Sequence, residues 1–284
     1  MRLKEIQIRV MLFVASLLAM TWGYQVLLLK HAPDIFRDPK EDMSYGWYIP
    51  LFSLYVLWRE RKETLQSVGN PSWVGFLPLV PFAFLGFLGV RGMQVRLEIV
   101  GLVGVLVGLI WIFFGLKTMR QTLFPVLVLL FCLPLHTYLD LVTIHLRMFA
   151  VSLAHGVLCG CGADVVREGT MLASASGSFA IDIAEPCSGI RSLFAMMALT
   201  AGYAYFTQPT LFRRGLLFAL SIPIAIVGNA CRILSIAAVA ETCSSDFATG
   251  FYHDYSGYVV FLVSLLLMVA TGGLVTKGAE RCVR

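Results

Sequence analysis

Apolar residues in this chain come in long, nearly unbroken runs separated by short polar clusters, not in the alternating pattern of half-buried strands. Several runs reach about 20 residues, enough for a helix to cross a hydrocarbon core of roughly 30 Å. The pattern predicts eight spanning helices, at 8–29, 45–58, 72–90, 97–116, 121–138, 189–207, 215–240 and 257–276. The second is short and needs a thinned bilayer and the Trp47/Tyr48 anchor to cross. The first is longer than a signal-peptide core and lacks a small-x-small cleavage site, so it is retained as a helix.

The stretch 141–160 is also helical in pattern, but His145, Arg147 and His155 interrupt its apolar face and would be costly at the bilayer centre. It is therefore expected to lie in the outer interface. Between it and the sixth span, VVREGTML and GSFAIDI alternate apolar and polar residues around the turn-prone ASASG, which predicts a small two-stranded hairpin. The expected fold class is an all-α polytopic membrane protein, one domain over 1–284, with about eight transmembrane helices, one interfacial helix and a small extracytoplasmic β-hairpin.

Composition agrees: 58% of the 284 residues are hydrophobic and 14% charged, with a mean hydropathy of +0.80, far from a soluble domain. The net charge of +5 does not point to nucleic acid, because the basic residues sit in short clusters between the apolar runs. Arg2, Lys4 and Arg9, then Arg59, Arg61 and Lys62, Lys117 and Arg120, Arg213 and Arg214, and finally Lys277, Arg281 and Arg284 fall on one side if the N-terminus is cytoplasmic. Asp34, Asp38, Glu41 and Asp42 then fall outside.

Three strings carry candidate chemistry. In AEPCSGIRSL, 184–193, Cys187 follows a Pro at the outer start of a predicted span, where the helix dipole and free N–H groups favour the thiolate. Taken alone, such a Cys reads more often as a packing residue. In GNACRI, 228–233, Arg232 falls near the outer end of the seventh span. It is either a functional intramembrane charge or an arginine snorkelling to headgroups; Asn229, three residues earlier on the same face, is placed to orient it. In FYHDYSG, 251–257, His253 sits just outside the eighth span with a side chain suited to proton exchange near neutrality. A nucleophile, a cation and a base brought to one membrane face are what thiol acyl transfer needs.

Cys-Ser-Gly-x-Arg at 187–191, Asn-x-x-Arg-Ile at 229–233 and His-x-x-x-Gly at 253–257 resemble, in order and spacing, the three motifs of the exosortase and archaeosortase family. YGWYIPLFSLYVLWRERK at 45–62 and FCLPLHTYLDLVTIHL at 131–146 extend the likeness over most of the chain. The resemblance implies a membrane cysteine transpeptidase or protease that cleaves a C-terminal sorting signal, a Pro-containing motif of the PEP-CTERM kind followed by a spanning helix and a basic tail. Cys187 would form a thioester, Arg232 would stabilise the oxyanion, and His253 would protonate the leaving amine and then activate the acceptor. Arg191, Asn229, Glu185 and Ser188 are the supporting or substrate-binding candidates; for Glu185 and Asp182 a solvated acidic loop is the competing reading. Expected partners are membrane-anchored substrate proteins and lipid, with no nucleic acid, and the expected location is the inner membrane with the site facing out.

Cys231 stands where the family more often has Val or Ile and is expected to pack. Cys159, Cys161 and Cys243 lie near the outer face, where a disulfide is possible. His31, His136, His145 and His155 have no metal-ligand spacing and are read as interfacial, and neither metal nor cofactor is expected. Two other classes compete. Anionic lipid-linked sugar binding in exopolysaccharide assembly or transport would use Arg232, Arg191 and Arg147, but the spans show no inverted repeat. Thiol redox chemistry would want a Cys-x-x-Cys pair, and none occurs.

Overall fold

The computed structural model describes residues 2–37, 43–134, 136–175, 177, 180–182, 190–243 and 247–282. Five of its helical stretches are long and apolar enough to cross a membrane: Lys4–Gly23, Trp73–Arg91, Val95–Cys132, Leu211–Glu241 and Gly250–Thr276. The protein is thus a multi-pass helical membrane protein, and the expected count of eight is not reached by this measure. The chain folds as two compact units, Met1–Leu135 and His136–Arg284.

In the first unit, α1 (Arg2–Gly23) runs into a π-helical turn (Leu27–His31) and the short α2 (Ala32–Arg37). The anticipated second span is a 3-10 turn (Ser44–Trp47) followed by α3 (Tyr48–Arg59). Its 12 helical residues rise only about 18 Å, short of the hydrocarbon core. After α4 (Arg61–Gln66) come α5 (Phe76–Arg91) and α6 (Val95–Leu127), which continues as a 3-10 turn (Val128–Cys132). The loop expected at 117–120 is absent: helix runs through Lys117 and Arg120, and the break is at Gly115, with φ 84° and ψ 173°. That left-handed backbone favours glycine, and a Cβ on Gly115 would lie 2.7 Å from the Asn70 carbonyl oxygen.

Helices α5 and α6 approach until their backbones touch. A Cβ on Gly101 would lie 2.6 Å from Gly86 Cα, and one on Gly89 would lie 2.7 Å from the Glu98 nitrogen, the close approach that small residues permit between membrane helices. Glu98, in the first turn of α6, is completely buried. His31 Nδ1 lies 3.3 Å from its Oε2 and 3.2 Å from its Oε1, and Oε1 has no hydrogen-bond partner of its own among the described residues. His31 is therefore no simple interfacial residue; it is the partner of a buried glutamate side chain.

The second unit begins with α7 (His136–Gly160), longer than the expected interfacial helix. The sheet has three strands, not two: β1 (Val165–Glu168), β2 (Met171–Ser174) and β3 (Ala180–Asp182), antiparallel in that order. VVREGTML, read as one strand, is itself a hairpin. Glu168 pairs with Met171 across Gly169-Thr170, and Gly169 at φ +61° supplies the left-handed residue of a two-residue turn. The chain passes from β2 to β3 by way of the ASASG string.

Helices α8 (Ile190–Thr207), α9 (Leu211–Thr242) and α10 (His253–Cys282), the last entered through a π turn (Ala248–Tyr252), complete the unit. The Thr210 side chain accepts from the Arg213 amide to cap α9. One face of α9 buries Ala230, Ile233, Ala237 and Ala240 against Ala150, Val151 and Ala154 of α7 and Val165 and Leu172 of the sheet. Its other face places Ala225 with Met196 of α8 and Met268 of α10. At the turn between α8 and α9, buried Gln208 donates from Nε2 to the Gly272 carbonyl (3.3 Å) and to Thr276 Oγ1 (3.1 Å), and its main-chain carbonyl accepts from Arg214 Nε at 2.9 Å.

Candidate active site

Depth along α9 sets the site. Arg232 is 21 residues beyond Leu211, a rise of roughly 32 Å at 1.5 Å per residue, so it stands at the end of the span opposite Arg213 and Arg214. Its half-buried side chain points to α10 while Ile233 beside it is in the α7-facing core. Cys231, one position earlier, is exposed on the surface of the chain, so the expected packing role does not hold.

His253 is the first residue of α10, set there by the π turn and by Gly250, whose φ of −92° and ψ of −106° break the helical path just before it. Arg232 Nη2 donates to the His253 carbonyl at 3.0 Å and lies 3.5 Å from His253 Nε2. Arg232 Nε donates to Ser256 Oγ at 3.4 Å, and Ser256 Oγ donates to the same His253 carbonyl at 3.1 Å. Gly257 lies under the guanidinium: a Cβ there would be 3.2 Å from both Cζ and Nη2 and 3.5 Å from Nε.

A cavity of about 30 Å³ adjoins Arg232, with Asn229, Ser264 and Ser192 among its polar lining and Ala225 and Phe261 among its apolar lining. It has room for a water molecule or two. Asn229 and Arg232 share it, in keeping with their i, i+3 spacing. Ser192 belongs to the third residue position of α8, so the start of α8 lies at the same end of the unit as Arg232 and His253.

Cys187, Glu185 and Ser188 lie outside the described residues, which resume at Ile190. Arg191 is the second residue of α8. Asp182 ends β3, paired with Met171. Ser256, Ser192 and Ser264 are not singled out by the sequence. Ser256 is signalled only by its i+3 relation to His253 within FYHDYSG, and the other two by nothing local.

The sequence model of the transmembrane exosortase family matches residues 37–270. The chain belongs to the transmembrane exosortase family. No curated protein and no solved structure matches it. Membership points to a membrane transpeptidase, and the match spans all three motif strings. In this exosortase no disulfide joins Cys159, Cys161 and Cys243 to one another; Cys159 Sγ lies 3.6 Å from His155 Nε2, which itself is 3.0 Å from the Val165 carbonyl. That contact ties the end of α7 to β1. Among the described residues no group of three or more His, Cys, Asp or Glu could hold a metal.

Proposed function

We propose that this exosortase is a membrane-embedded cysteine protease and transpeptidase that cleaves the C-terminal sorting signal of exported proteins and passes the new carboxyl end to an acceptor. The observation that carries the reading is the Arg232–His253 contact, with Ser192, five residues after Cys187, lining the cavity at that same arginine.

In the proposed reaction the Cys187 thiolate attacks the scissile carbonyl. Negative charge develops on the carbonyl oxygen, and Arg232, fixed on one side by α10, stabilises it in a setting where water is scarce and such contacts are strong. His253, as its protonated imidazole, gives its proton to the leaving amine, and a thioester remains on Cys187. The neutral imidazole then takes a proton from the acceptor, an amine, a hydroxyl or water, as it attacks the thioester and frees the Cys187 thiolate, which restores the starting thiolate and imidazolium. Glu185, Ser188, Arg191 and Asn229 are assigned to substrate contact or to holding these groups. The substrate is a membrane-anchored protein whose signal joins a Pro-containing motif to a spanning helix and basic tail, met at the extracytoplasmic face of the inner membrane. No cofactor enters the scheme.

The test is co-expression with a tagged protein bearing such a signal, followed by gel mobility and by mass spectrometry of the new C-terminus. Cleavage by the wild type and its loss in Cys187→Ala are expected, with expression and membrane insertion unchanged. Equal cleavage by both proteins would refute the nucleophile assignment.

A further inference from the structure

One turn of α10 meets the Arg232 guanidinium on three sides, and we propose that Ser256 and Gly257 are positioning residues which, with the main-chain carbonyl of His253, form a cradle that fixes this group. The proposal rests on reading Arg232 as the oxyanion-binding group and says what holds it there. The carbonyl of His253 accepts from Nη2 at 3.0 Å and from Ser256 Oγ at 3.1 Å, so one oxygen ties the guanidinium and the hydroxyl together. With its single proton committed to that carbonyl, the Ser256 hydroxyl has only lone pairs to offer, and one of them faces Arg232 Nε at 3.4 Å.

Gly257 completes the seat. The near-equal distances from a notional Cβ to Cζ, Nη2 and Nε, 3.2 to 3.5 Å, mean that the guanidinium lies face-on to the glycine, so close that a methyl group there would shift it by a few tenths of an ångström. Ser256 is 5% exposed, so water does not readily replace its hydroxyl. Because His253 supplies both the imidazole and the carbonyl, the spacing between base and cation is set within a single helical turn, and an arginine with four rotatable bonds is held to one geometry.

The full-length protein in detergent tests this with two readouts. The first needs no substrate: phenylglyoxal condenses with the paired guanidinium nitrogens, and the rate at which Arg232 is modified is followed by peptide mass spectrometry. Ser256→Ala is expected to raise that rate several-fold and Ser256→Thr to leave it near wild type. The second is the kinetics of cleavage of a sorting-signal protein. Ser256→Ala is expected to lower kcat about tenfold, the low end for loss of a charge-assisted hydrogen bond, with KM unchanged and with rescue by Ser256→Thr. Gly257→Ala, which shifts the guanidinium by a few tenths of an ångström, is expected to lower kcat several-fold. An unchanged modification rate in Ser256→Ala, or a fall in folded protein that accounts for the whole loss of activity, would overturn the cradle. If the wild type cleaves no such protein, the functional reading fails, while the modification rates still decide whether the cradle exists.

Discussion

Replacing Gly101 by alanine adds one methyl group where the backbones of α5 and α6 meet. That methyl would sit 2.6 Å from Gly86 Cα, 2.7 Å from the Gly86 nitrogen and 2.9 Å from the Phe82 carbonyl oxygen. All three are backbone atoms, so no side-chain rotation relieves the clash, and the helices must part by roughly 0.8 Å to reach ordinary contact at 3.4 Å. Overpacking of this kind costs about 1–3 kcal/mol. The rigid neighbours place Gly101→Ala near the top of that range, and the better helix propensity of alanine returns about 1 kcal/mol. A net loss of about 2 kcal/mol is expected. Gly23→Ala is the control, because nothing lies within 4 Å of its notional Cβ, and it should be neutral or slightly stabilising. Both are measured by unfolding in mixed micelles of mild detergent and dodecyl sulfate, followed by circular dichroism. Equal stabilities for the two variants would refute the argument, since the chemical change is identical and only the surroundings differ.

Three further outcomes follow from the same structure. His31→Ala leaves the buried Glu98 side chain without its partner and should cost about 1–3 kcal/mol in the same unfolding assay; adding Glu98→Gln should recover part of that, and a double variant no more stable than the single one would refute the pairing. Gln208→Ala removes the links to Gly272 and Thr276 and should cost about 1–2 kcal/mol, because Thr276 Oγ1 still serves the Gly272 carbonyl at 3.0 Å; no measurable loss would mean the clamp contributes nothing. Arg232→Lys keeps the charge but cannot reach both the His253 carbonyl and Ser256, so cleavage by the proposed reaction should fall by about 10²–10³-fold, and near-normal cleavage would refute the oxyanion role.

The features legible in the sequence are those that follow from length. A helix rising 1.5 Å per residue needs about 20 residues to cross, which puts Arg232 at the end of its span away from Arg213 and Arg214, and the structure has Arg232, His253 and Ser192 at one end of the same unit for that reason. Features that depend on a single backbone angle are not legible in this way. Lys117 and Arg120 have the look of a loop, yet charged residues continue a helix readily, and the break comes two positions before Lys117, at a Gly115 that nothing local distinguishes from the chain's other glycines. In the same way the alternation of VVREGTML is compatible with one strand until Gly169 turns it back on itself.

Pairings between distant residues are the least visible. His31 and Glu98 are 67 positions apart, and neither carries a local mark of the other; the exposed character of most histidines argues for the interface, and burial decides otherwise. Ser256 is the intermediate case. It lies inside a motif string and one helical turn from His253, so its face is readable, but its partner Arg232 is 24 residues away on another helix. A motif thus delivers the candidate residues and the end of the span at which they stand. The groups that hold those residues still are found only when the helices are packed, and for Arg232 they are a serine hydroxyl, a main-chain carbonyl and the missing side chain of a glycine.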